Sequence, residues 1–195
     1  MPDYVRAHRT DPHVARILDD IRREANEPNA DVETVIEVLL GWIVEDKKIT
    51  SLKTLQGNIW KHGYENGDFT GHVYDDAVRC LRKWLDNGIA LYVYSSGSVD
   101  AQKLLFGHSD VGNLRPVFSG YFDTQVGHKR EADAYRIISQ QIALPAQDIL
   151  FLSDVVEELD AAAAAGMQTT QLVRDDDVVM GSHRIAHDFD EVVLD

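Results

Sequence analysis

Cysteine is almost absent: Cys80 is the single one, so no disulfide can form within the chain. That usage fits a reducing, cytoplasmic setting, with Cys80 read as a core residue of a helix. Positive charge is also scarce. The 19 Lys and Arg stand against 33 Asp and Glu, a net charge of −14. Such a chain offers no basic footprint for nucleic-acid phosphates, so no nucleic-acid partner is expected. A small anionic ligand remains compatible, because a few local cations and a metal ion can reverse the field in one cleft. No apolar run approaches the roughly 20 residues of a membrane span. Met1 to Thr10 is polar and lacks the apolar region of a signal peptide. Internal repeats are absent too, and the one biased stretch is Ala161 to Ala165.

What is present is ordinary globular composition, 44% hydrophobic and 27% charged, over a length that suits one domain or a core with a small second unit. The first part reads as helix alone. Val14, Ile17, Leu18 and Ile21 recur at helical spacing within Pro12 to Glu27, until Pro28 and Asn29 break the pattern. Asp31 is placed to cap a second helix, with Val32, Val35, Ile36, Leu39, Leu40 and Ile43 on one face. A third follows Thr50, with Leu52, Leu55, Ile59 and Trp60 inward, and Gly63, Gly67 and Gly71 then mark a loop. Beyond Gly71 helices and strands alternate. Asp75 to Asn87 is a helix closed by Gly88, and Ile89 to Tyr94 a short apolar strand. Helices at Val99 to Phe106, Glu131 to Ala143 and Val155 to Ala165 intersperse with strands near Tyr121, at Ile149 to Leu152 (buried) and at Thr169 to Val173. That alternation predicts an α/β fold with a parallel sheet and helices on both faces. The organisation expected is a helical unit over residues 1–70 and an α/β unit over 71–195.

Ligands of open α/β sheets sit beyond the carboxyl ends of the strands. The first strand runs into Ser95-Ser96-Gly97-Ser98 just before a helix, where small residues, hydroxyls and free N–H groups can cradle a phosphate. Ser98 reads equally well as an N-cap. Next comes Gly127-His128-Lys129-Arg130 ahead of a helix. A lysine there opposes the helix dipole unless an anion joins it, although solvated charge is the common role of a lysine. The third feature is Asp154 at the tip of the Ile149 strand, with Glu157 and Glu158 one turn on. A carboxylate so placed suits magnesium, a hard cation that takes oxygen ligands and keeps several waters. Glu158 lies on the same helical face and can orient Asp154 or a bound water. Asp154 also reads as an N-cap.

Ser, Lys and Asp at successive strand ends resemble the phosphatases of the haloacid dehalogenase superfamily. The likeness narrows at Leu91-Tyr92-Val93-Tyr94-Ser95-Ser96-Gly97-Ser98-Val99, at Ala101 to Gly107, at Gly120-Tyr121-Phe122-Asp123-Thr124 and at Ile149 to Asp154. Leu55-Gln56-Gly57, Ile59-Trp60, Gly63-Tyr64 and Gly71-His72-Val73-Tyr74 belong to it as well. Over about residues 4–174 these segments are similar to the enolase-phosphatases of methionine salvage. The resemblance implies a Rossmannoid parallel sheet with an N-terminal all-helical cap, supplied mostly by residues 1–70. It implies enolisation and then dephosphorylation of 2,3-diketo-5-methylthiopentyl 1-phosphate to an acireductone. Ser95 and Ser96 would bind the substrate phosphate. Lys129 would hold it and offset transition-state charge, and Asp154, supported by Glu158, would ligate Mg2+. The expected partner is this small phosphorylated diketone, and the expected state a monomer.

One part of the family pattern is not found. Its members open with a strand ending in Asp-x-Glu-Gly-Thr, whose aspartate attacks phosphorus. Asp3, Asp11, Asp19 and Asp20 follow no apolar strand, and none precedes Gly-Thr. The expectation is a sheet without its first, central strand and a chain that is inactive as given. A misassigned start codon, a fragment or a truncated homologue would each account for this, and the undecayed motifs favour the first two. The alternative function is a non-catalytic homologue that binds a phosphorylated ligand or a protein partner.

Overall fold

The computed structural model describes residues 1–175 and 178–194, which fall into two compact units, Met1–Phe69 and Thr70–Asp195. The first is built from helices α1 (Pro2–His8), α2 (Pro12–Glu24), α3 (Val32–Val44) and α4 (Thr50–Asn66). Asp11 caps α2 by accepting from the His13 and Val14 amides, and Asp31 caps α3 by accepting from the Thr34 amide. Val5, Ile17, Leu18, Ile21, Leu39 and Leu55 meet in the core of this unit.

Three sequence expectations need correcting here. Helix α1 was not anticipated, because seven polar-rich residues with Val5 as their buried member carry little periodic signal. Gly63 lies inside α4 rather than in a loop, where a Cβ would clash with the Phe69 ring. Leu40, Ile43 and Trp60 are exposed, since a wide apolar stripe on a helix is covered only as far as its neighbours reach.

The second unit contains α5 (Asp75–Asp86), β1 (Tyr92–Tyr94), α6 (Val99–Gly107), β2 (Gly120–Phe122), α7 (Ala132–Ile142), β3 (Leu150–Ser153), α8 (Val156–Ala164), β4 (Gln168–Leu172) and β5 (Arg184–Ala186). All strand pairings are parallel, but they form two separate ladders among the described residues: β1 with β2, and β3-β4-β5. Between β1 and β3 lies a cavity of about 440 Å³, lined by Tyr92, Val93 and Tyr94 on one side and Leu150, Phe151 and Leu152 on the other. The incomplete parallel sheet is thus as the sequence indicates. Two details differ for the same reason. The first strand shrinks from Ile89–Tyr94 to three paired residues, because among the described residues its ladder has a partner on one edge alone. Leu150 to Leu152, expected to be buried, are half-buried, because they border the cavity. Strand β5, short and opened by a charged residue, was also unanticipated.

A clasp joins the start of α5 to the chain beyond β4. Arg174 donates two hydrogen bonds to the Asp76 carboxylate, at 3.2 and 2.6 Å, and the Phe189 amide donates a third at 2.8 Å. The guanidinium lies 4.0 Å from the centroid of the Tyr74 ring. Both charged side chains are mostly buried, at 21% and 17% exposure. The Arg174 hydrogen bonds hold the Asp76 carboxyl below the usual carboxylate range. Asp76→Ala is expected to lower unfolding free energy by about 2–3 kcal/mol, as for lost hydrogen bonds to charged groups. Because the folded-state pKa is depressed, this contribution is complete above the ordinary aspartate value and is lost as pH falls through the lower folded one. Denaturant melts of both proteins at pH 7 and below pH 3.8 check this: the gap should narrow in acid.

Candidate active site

The end of β1 is held to β2 by groups far apart in sequence. The Ser95 amide donates to the Phe122 carbonyl at 3.1 Å, extending the ladder by one step. Ser95 Oγ accepts from the Gly97 amide at 3.1 Å, so its side chain turns back over the loop. Buried Gln102, on α6, donates to the Gly97 and Phe122 carbonyls, both at 2.8 Å. Buried Asp123 accepts from the Val99 amide at 3.1 Å and from the Gln125 amide at 2.9 Å. Ser98 caps α6 by accepting from the Ala101 amide at 3.3 Å, so its capping role is realised. The serine loop is therefore set by Gln102 and Asp123, which lie in segments that carry the family resemblance but were given no role there. An aspartate directly after a strand and before a turn was the available signal.

Lys129 lies in a turn ahead of α7, not in its first helical turn. Its ammonium meets Glu158 Oε2 at 2.6 Å, with the two side chains 21% and 11% exposed. Glu158 stands in the first turn of α8, where the helix dipole favours a carboxylate. Ser153 Oγ donates to the same Glu158 oxygen at 2.9 Å and accepts from the Val155 amide at 3.2 Å. Glu158 thus contacts Lys129 and Ser153, where the sequence suggested a support for Asp154 or for a bound water. Asp154, the residue after β3, is exposed, and the N-cap position of α8 belongs to Val155, so Asp154 does not cap. The Asp154 carbonyl accepts from Nε2 of fully buried Gln171 at 3.3 Å, a restraint not foreseen from sequence.

The structure accordingly brings together Lys129, Glu158 and the end of β3 that carries Asp154. Ser95 and Ser96 stand at the end of β1. Among the described residues no hydrogen bond joins them to Lys129 or Asp154, and no group of three His, Cys, Asp or Glu is arranged to hold a metal ion. Asp154 supplies one exposed carboxylate, which fits magnesium only as a partial donor set completed by water and a ligand phosphate.

Parallel strands alternate with helices here, and hydroxyls, a lysine and a carboxylate follow them. The profile of the haloacid dehalogenase-like hydrolases matches residues 5–166. The chain belongs to this family, and within it to the enolase-phosphatases. It is 54% identical over 194 residues to the enolase-phosphatase E1 of Pectobacterium carotovorum, covering 100% of this chain and 85% of that one. With the enolase-phosphatase E1 of Pseudomonas savastanoi it shares 56% over 189 residues, 97% of this chain and 83% of the relative. The crystal structure of the UTR4 protein of Saccharomyces cerevisiae superposes with a TM-score of 0.85 at 32% identity, covering 98% of this chain and 86% of the other. Among the described residues no helix is long and apolar enough to cross a membrane.

Proposed function

We propose that this site takes the phosphate of 2,3-diketo-5-methylthiopentyl 1-phosphate and serves its enolisation and dephosphorylation to an acireductone in methionine salvage. The observation that carries the reading is the Lys129–Glu158 pair beside Asp154, in a chain 54% identical to enolase-phosphatases over its length. Ser95 and Ser96 offer hydroxyls and loop amides to phosphate oxygens. Lys129, held by Glu158, neutralises charge on the transferring group, an electrostatic role that acts by position. Asp154 would hold Mg2+, which would supply positive charge beside the phosphate. The helical unit serves as cap, and the protein works as a cytoplasmic monomer.

The 195 residues contain no Asp-x-Glu-Gly-Thr segment. That favours a second reading for the polypeptide by itself, binding of a phosphorylated ligand without turnover. Expressed as these 195 residues, it should broaden the 31P signal of inorganic phosphate, release no phosphate from the diketo substrate above a protein-free blank, and bind magnesium weakly. Metal-dependent release from a preparation free of other phosphatases would refute the second reading. Failure to bind phosphate at any concentration would refute both.

A further inference from the structure

Tyr94 ends β1, immediately before Ser95, and its side chain crosses to the Lys129 turn. Its hydroxyl donates to the Gly127 carbonyl at 2.9 Å. The Lys129 ammonium stands 5.8 Å from the centroid of its ring, within the range at which an aromatic face attracts a cation. Tyr135 meets the Tyr94 ring edge-on at a centroid distance of 5.6 Å, and its own hydroxyl donates to the Lys129 carbonyl at 2.7 Å. The two tyrosines therefore restrain the backbone on both sides of His128. Between these restraints the turn has little freedom. Gly127 sits at φ 135°, and a Cβ there would approach the Ala134 Cβ to 2.9 Å. A tyrosine hydroxyl in a largely apolar setting is costly unless paired. Both of these are paired, and both to carbonyls of the one segment that presents Lys129.

We propose that Tyr94 is a positioning residue for Lys129: it ties the turn carrying the ammonium to the strand end carrying Ser95, so that the two keep one spacing across a bound phosphate. Tyr135 is the second tether. Burial, with the nearby Glu158 charge, pushes the Tyr94 hydroxyl up to about 12, so it remains a donor throughout the working range. The proposal rests on the reading of Ser95 and Lys129 as phosphate-binding groups.

The test compares the parent chain with Tyr94→Phe and Tyr135→Phe, which remove the hydroxyls and keep the rings. Inorganic phosphate is the probe, followed by calorimetry. The Lys129 side-chain signal is followed by NMR in protein labelled at lysine Cε and assigned with Lys129→Arg. Loss of one tether should weaken phosphate binding about threefold to tenfold, the range of one hydrogen bond. It should also shift the Lys129 signal in the phosphate-free protein. The double variant should weaken binding by less than the product of the single effects, because both hydroxyls act on one turn. A purely structural hydroxyl would lower the melting temperature and leave the Lys129 signal in place, which overturns the proposal. Unchanged phosphate affinity with an unmoved Lys129 signal overturns it equally. If the parent binds no phosphate, the functional reading falls and the Lys129 signal alone decides the tether. If Tyr94→Phe does not fold, Tyr135→Phe carries the same test.

Discussion

A polypeptide that carries an apolar strand closed by Asp-x-Glu-Gly-Thr, linked ahead of Met1, is expected to melt at least about 10 °C above the 195-residue chain. The argument starts from the cavity of about 440 Å³ between β1 and β3. Its two walls are strand edges that, among the described residues, run in register with neighbours on their far sides only. A parallel strand between them would pair with both edges and bury side chains on both faces. Five apolar side chains at about 1.5–3 kcal/mol each are comparable with the whole stability of an ordinary domain, about 5–15 kcal/mol. Even a gain of about 5 kcal/mol moves the midpoint by roughly 10–20 °C in a chain of this size. Open edges are also an association hazard, so the shorter chain should aggregate sooner on heating. Thermal melts by circular dichroism decide the matter: equal, cooperative midpoints would mean that the cavity is not a strand site.

Lys129→Met is expected to abolish phosphate binding and to destabilise the fold at the same time. The Lys129 and Glu158 side chains are 21% and 11% exposed and 2.6 Å apart. Removing one partner leaves the other charge largely buried and unpaired, which costs about 3–5 kcal/mol in comparable pairs. In a strand-completed protein the variant should also lose about 10²–10³ in kcat, the usual effect of deleting one electrostatic stabiliser. Adding Glu158→Gln removes the stranded carboxylate. The double variant should therefore recover much of the stability and none of the phosphate binding. Denaturant melts and calorimetry separate the two effects. Recovery of binding in the double variant would show that Lys129 acts on Glu158 alone and not on the ligand.

The alternating helices and strands were legible because their signals are local. Gly88 at φ 83° closes α5, and Asp31 caps α3, each recognisable from its own neighbourhood. The positions of Ser95 and Asp154 directly after strands, and of Lys129 ahead of α7, were legible in the same way. What escaped is what depends on partners far along the chain. Gln102 acts on a carbonyl 20 residues away, Tyr94 on one 33 away, and Gln171 on one 17 away, and no periodicity encodes such pairs. Glu158 was singled out beside Asp154, and the structure adds its pairing with Lys129, which no local pattern announces. Burial was misjudged at Trp60 and Leu150 because a side chain's pattern states which way it faces and not whether anything covers it.

Phosphate release from 2,3-diketo-5-methylthiopentyl 1-phosphate, measured together with the acireductone absorbance, tests the central claim most directly. The strand-completed polypeptide with magnesium should release one phosphate per acireductone formed, and its Lys129→Met variant should fall to background. A strand-completed polypeptide that melts cooperatively, holds magnesium and still leaves the diketone untouched would contradict the account.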